Sequence, residues 1–107
     1  MNLPKVVADL IKAQNEFNAV TYANLFSETA VVFDEGKMHT GRLEIERWID
    51  HSNKNYQSVM KPLEYTENGM TGILTAACSG TFPGSPITLK FHFEIVDGQI
   101  QQLKVTD

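Results

Sequence analysis

Few side chains in this sequence can do acid–base or nucleophilic work. Asp34 closes an apolar run, Ala30-Val31-Val32-Phe33. Apolar surroundings disfavour a carboxylate's charged form, so such an acid can take up and return a proton near neutral pH. The competing reading is an exposed acid at a strand end, beside Glu35 and Gly36. His39 follows closely and either relays a proton or sits solvated in a loop. His51 falls three residues after Trp48. It either flanks a pocket mouth or stands exposed. His92 alternates with Phe91 and Phe93, so it faces away from whatever those rings face. Three histidines without close spacing and a single cysteine give no metal-site signal. Cys78 has no neighbouring base and reads as a small buried hydrophobe.

Three further residues carry polar or aromatic handles. Gln14 lies on the apolar stripe of a helix, pointing inward or sitting at the helix edge. Tyr22 either presents its hydroxyl to a pocket or serves as core with one tethered hydroxyl. Trp48 either lines a cavity and stacks on a ring-shaped ligand or simply fills core.

These residues need elements to position them. Leu3, Val7, Leu10, Gln14 and Phe17 recur at helical spacing, with Val6 and Ile11 widening the stripe, so residues 3–17 are predicted helical. Pro4 suits the first turn. Asn18 caps a second helix reaching about Phe26, with Tyr22, Leu25 and Phe26 inward. Ser27-Glu28-Thr29 is expected to break it and lead into the Ala30–Phe33 strand. A turn and a short extended piece end at Gly41. A third helix runs to about Asn53 with Ile45, Trp48 and Ile49 on one stripe, and Asn53-Lys54-Asn55 is expected to end it. Glu44 and Arg47 are spaced to pair on its solvent side.

From Tyr56 onward the period becomes two. Strands are expected over 57–66, bent at Pro62 and therefore at an edge, then 70–82, 87–96 and 100–106. Leu74, Ala76, Cys78, Gly80 and Phe82 share one face of the second. Ile87, Leu89, Phe91, Phe93 and Ile95 share one face of the third, and Leu103 and Val105 point inward on the last. The small side chains of Ala76, Cys78 and Gly80 leave volume for a cavity lined by Phe91, Phe93, Trp48 and Leu10 and suited to an apolar ligand. Tight packing of a helix on the sheet is the alternative. Helices gathered on one face of a mostly antiparallel sheet make an α+β domain.

The chain's 107 residues fit a single domain, 1–107, and a net charge of −4 without a basic cluster argues against nucleic-acid or membrane-surface binding. One cysteine allows no internal disulfide, and no signal peptide is evident at the N-terminus. Both point to the cytoplasm.

The order of elements and several stretches resemble the NTF2-like superfamily, which includes the SnoaL-like polyketide cyclases and the ketosteroid isomerases. The stretches are Leu25-Phe26, Thr29 to Asp34, Gly41 to Trp48 and Phe93 to Ile100, and the likeness covers nearly the whole chain. It implies a cystatin-like cone, with three N-terminal helices packed on a strongly curved sheet and a pocket at the open end. It also implies a homodimer through the outer sheet face. Asp34 matches the position of the isomerases' general base. Their two oxyanion donors, however, correspond to Leu10 and Phe91, which donate no hydrogen bond, so steroid isomerisation of that kind is not expected. The reading is a domain whose apolar pocket, lined by Leu10, Gln14, Tyr22, Trp48, Cys78, Phe91 and Phe93, binds a small hydrophobic molecule. Any chemistry there would be cofactor-free, with Asp34 as base. The alternative is a non-catalytic dimeric protein-interaction or ligand-binding module.

Overall fold

The first helix, α1 (Lys5–Asn15), forms where apolar residues recur every three or four positions. It buries Val6, Val7, Leu10 and Ile11, and Gln14 continues the same stripe one turn later. Pro4 stands just before it, where an absent N–H costs nothing. The second helix, α2 (Ala19–Asn24), starts at Asn18, whose Oδ1 accepts the Thr21 N–H at 3.0 Å. A cap of this kind contributes about 1 kcal/mol.

The computed structural model describes all 107 residues, Met1–Asp107. Its nine elements continue with β1 (Phe26–Asp34), β2 (Lys37–Thr40), α3 (Arg42–Tyr56), β3 (Val59–Asn68), β4 (Thr71–Ser79), β5 (Ile87–Val96) and β6 (Gln99–Thr106). The strands form one sheet in the order β2-β1-β6-β5-β4-β3. Every pairing is antiparallel except β1 with β6. Register shifts interrupt the ladders at Phe26/Val31, Pro62/Glu64 and Glu94/Ile95, and such irregularities increase local bend and twist. Pro62 does lie on an edge strand.

Three boundaries differ from the sequence reading. Ser27-Glu28-Thr29 does not break a helix but lies within β1. The Ile100 N–H reaches the Leu25 carbonyl at 3.0 Å, and Ser27 Oγ lies 2.7 Å from Gln101 Oε1, so pairing with β6 overrides the local break signal. Helix α3 runs on to Tyr56 because Asn53 faces inward and bonds across the fold instead of capping the helix. The left-handed residue that stops it is Gln57, at φ 48°. Finally, β4 stops at Ser79, so Gly80 and Phe82 lie beyond it. A Cβ on Gly80 would collide with the Tyr56 carbonyl oxygen. That carbonyl accepts the Thr81 N–H at 2.7 Å. Gly80 is small so that two backbones can cross, not to leave room for a ligand.

The start of α3 is fixed firmly to β1. Gly41 takes φ 85°, a conformation costly for any residue with a Cβ. Its N–H donates to the Ala30 carbonyl at 2.8 Å, and Arg42 Nε donates to the Phe26 carbonyl at 2.7 Å. The expected Glu44–Arg47 pair is not formed. Glu44 instead accepts the Thr40 N–H at 3.1 Å, satisfying a donor at the helix N-terminus.

Helices and sheet enclose one core in which Leu10, Tyr22, Phe26, Ile45, Leu74, Ile100 and Leu103 are almost wholly buried. Each large apolar side chain so buried contributes about 1.5–3 kcal/mol. No helix is long and apolar enough to cross a membrane.

Candidate functional site

Strand β1 carries Val32 inward, so Asp34, two residues on, returns to the same concave face. The pairing of Phe33 with Lys104 sets Asp34 beside Val105, and Val105 in turn pairs with Phe91. On the other side Asp34 pairs with Lys37, and Val32 with His39, which puts both β2 side chains on this face as well. The acid therefore has an apolar row on one flank and polar groups on the other.

A cleft of about 910 Å³ opens there, lined by residues of both helix layer and sheet. That volume falls within the roughly 300–1,000 Å³ usual for small-molecule sites. Its deeper wall is apolar, with Trp48, Ile49, Met60, Leu89, Phe91 and Val105. Its rim is polar, with Glu35, Lys37, His39, Arg47 and His51.

Trp48 on α3 ties the two layers together. Its Nε1 donates to Asp34 Oδ2 at 3.3 Å. Its ring stacks on His39 at 5.6 Å between centroids and meets Tyr22 edge-on at 6.1 Å. Burial pushes the Asp34 pKa above the ordinary carboxylate value, and neighbouring Glu35 adds to the rise. The Trp48 N–H, His39 and a backbone bond pull it back. A carboxyl so placed is aimed, partly desolvated and able to exchange protons in a shielded space.

Tyr22 is 2% exposed, its ring packed on Phe26 and Trp48. No buried side-chain nitrogen or oxygen in the protein lacks a hydrogen-bond partner. The Tyr22 hydroxyl makes no internal bond, so it must touch the cleft that Tyr22 lines. Burial, with Asp34 and Cys78 nearby, raises its pKa far beyond the usual phenol range. It is therefore a neutral O–H, available as a donor.

Gln14 is 6% exposed and also lines the cleft. It points inward, not along the helix edge. Its Nε2 donates to Asn53 Oδ1 at 3.1 Å and to the Ser58 carbonyl at 2.6 Å.

Of the seven residues expected to line a pocket, five do: Gln14, Tyr22, Trp48, Cys78 and Phe91. Leu10 and Phe93 do not. Leu10 lies one turn before Gln14 and is sealed in the core, and only the last turn of α1 reaches the cleft. The cleft follows the first half of β5, through Ile87, Leu89 and Phe91. Phe93 lies deeper, paired with Leu103 and Gly72. Ala76 is likewise packed shut. Burial raises the Cys78 thiol to about 11, which makes it a poor nucleophile. His92 faces the other side of the sheet, 2.8 Å from Thr106 Oγ1. His51 is exposed at the rim, 2.8 Å from Asn55 Nδ2.

The sequence reading missed the Trp48–Asp34 bond, because nothing local signals a contact across fourteen positions. It also missed Met60 and Leu89, although the alternation of β5 already set Leu89 beside Phe91.

In structure the chain is similar to a Sinorhizobium meliloti protein provisionally described as a polyketide cyclase. The two share 38% identity over 97% of this chain and 95% of that one, with a TM-score of 0.93. A Catenulispora acidiphila protein with a ketosteroid isomerase-like fold, solved with trimethylamine, is similar at 17% identity and TM-score 0.89, over 99% of this chain and 87% of that one. SalBIII, an epoxide hydrolase/cyclase-like enzyme of pyran ring formation in the polyether salinomycin, is similar at 20% identity and TM-score 0.78, over 94% and 86%. These last two likenesses concern the fold alone. No family model and no curated protein matches the chain.

Proposed function

Because the chain belongs to the NTF2-like (SnoaL-like) superfamily, we propose that its cleft binds a small, largely apolar carbonyl compound and moves a proton on it without a cofactor. Asp34 is the base. It takes a proton from a carbon next to the carbonyl, leaving the electron pair on an enolate oxygen, and returns the proton in an isomerisation or ring-closing step. Tyr22 supplies the hydrogen bond to that oxygen in place of the donors absent at Leu10 and Phe91.

One observation carries this reading. Asp34 faces a cleft with apolar walls and is held there by a second polar side chain, the Trp48 N–H at 3.3 Å. An acid aimed by a directional bond is what proton transfer requires. An interior filled by protein would have favoured the interaction-module reading. An open cleft of about 910 Å³ favours a ligand.

The test is hydrogen–deuterium exchange at the α-carbons of 2-tetralone in D₂O, followed by proton NMR. The wild-type chain is expected to speed exchange above buffer. Asp34→Asn should remove about 10²-fold or more of that acceleration, the usual contribution of a positioned base. Exchange that is equally fast in the Asn variant would take Asp34 out of the mechanism.

A further inference from the structure

Gln14 has no part in the proton transfer described above, yet it is held with unusual care. It is 6% exposed, and both of its amide N–H bonds are committed. One goes to Asn53 Oδ1 at 3.1 Å and the other to the Ser58 carbonyl at 2.6 Å. A backbone carbonyl can only accept, so the contact with Ser58 fixes which end of the amide is nitrogen. The remaining atom, Oε1, accepts from no group of the protein. It is not sealed in, because no buried side-chain oxygen lacks a partner. Gln14 lines the cleft, so Oε1 opens onto it.

This arrangement costs the fold something. An amide pinned on its nitrogen side cannot turn its oxygen toward another partner. The neighbouring Asn15 is fully used in structure, donating to the Met60 carbonyl at 3.0 Å and accepting the Met60 N–H at 2.7 Å. Gln14 is tied on one side only. An apolar residue at this point of the stripe would leave Asn53 Oδ1 and the Ser58 carbonyl without their donor. It would also lack an acceptor inside the cleft.

We propose that Gln14 Oε1 is a specificity-determining acceptor that reads a hydroxyl group on the ligand. The class of ligand narrows accordingly, to an apolar skeleton bearing a hydroxyl at a distance from its carbonyl. The hydroxyl donates to Gln14, and the reacting carbon lies toward Asp34. A ligand with only acceptor oxygens gains nothing from this atom. The inference rests on the reading of the cleft as a ligand site. It does not depend on Asp34 being catalytic.

The test uses a matched pair of probes, 2-decalol and its methyl ether, with binding measured by calorimetry. They share a skeleton and an oxygen, and only the alcohol donates. Trp48 is the only tryptophan and lines the cleft, so its emission gives a second readout. The wild-type chain should bind the alcohol about 5–10-fold more tightly, the value of one neutral hydrogen bond. Gln14→Met should abolish that preference and leave the ether's affinity within about twofold. Asp34→Asn should keep the preference, which separates Gln14 from the carboxylate as the acceptor. If Gln14→Met does not fold, Gln14→Asn withdraws the amide by one methylene and should lose the preference too. Equal binding of both probes by the wild-type chain would overturn the role of Gln14 and leave the ligand site standing. So would a preference that survives in Gln14→Met. Failure of both probes to bind at their solubility limit would sink the ligand-site reading and this inference with it.

Discussion

Replacing Tyr22 with Phe removes one oxygen atom from an aromatic side chain that is almost wholly buried. The direction of its effect on stability depends on where that oxygen points. A buried tyrosine hydroxyl tied to another protein group contributes about 1–1.5 kcal/mol, and deleting it strands the partner. In a domain near this size, 1 kcal/mol moves the melting temperature by roughly 4–8 °C. A tethered Tyr22 would therefore lose at least about 4 °C. The structure gives this hydroxyl no internal partner and opens it onto the cleft. No partner is stranded, and the packing against Phe26 and Trp48 is kept. Tyr22→Phe is expected to melt within about 3 °C of wild type by circular dichroism. The same variant should slow 2-tetralone exchange by about 10²-fold, the usual loss when one donor to a developing oxyanion is removed. A loss of about 4 °C or more would show that the hydroxyl is structural and would refute the donor role. Exchange unchanged from wild type would refute it as well.

Two further outcomes follow from the cleft's electrostatics. The Asp34 pKa is raised in the fold, chiefly by burial, so its ionised form is less at ease in the folded chain than in the unfolded one. That penalty is complete above the raised folded value and vanishes below the ordinary carboxylate value of about 3.9. Asp34→Asn should therefore melt above wild type at pH 7, with the gap closing as the pH falls toward 3. A gap of the same size at both ends would mean the carboxyl is not desolvated. Cys78, buried and raised to about 11, should react with a disulfide reagent at pH 8 only slowly until denaturant is added. Rapid, complete labelling of the native chain would show a thiol more open than the fold allows.

The order of elements was legible because its signals are local and repeated. The 3.6-residue stripe of α1, the Asn18 cap and the alternation of Ile87 to Ile95 each follow from a few neighbouring residues. The boundaries that moved are those where a distant partner outweighs a local signal. Ser27 to Thr29 reads as a break until β6 arrives beside it. Asn53 reads as a helix end until Gln14 takes its carbonyl oxygen from another helix. The site divides in the same way. Asp34 could be singled out because it closes an apolar run and matches the position of the isomerases' base. Leu10 and Phe93 were misplaced because periodicity says which way a side chain faces but not how far along the element the cleft extends. Only the last turn of α1 and the first half of β5 reach it.

The way polar groups are satisfied argues more strongly for a ligand than the cleft's size does. Every fully buried side-chain nitrogen and oxygen in this protein has a partner, as a well-formed interior requires. Three groups set in from the surface are left wanting by the protein: the Tyr22 hydroxyl and Gln14 Oε1 have no partner in it, and the partly desolvated Asp34 carboxyl has only the Trp48 N–H among side chains. They come from α2, α1 and β1, so no single local irregularity produces all three. All three line the same cleft. Chance defects would scatter through the fold, and selection for stability alone would replace them with apolar side chains or bond them internally. Their convergence on one apolar-walled space supplies a donor, an acceptor and a base, which is what recognising and deprotonating an oxygenated molecule demands.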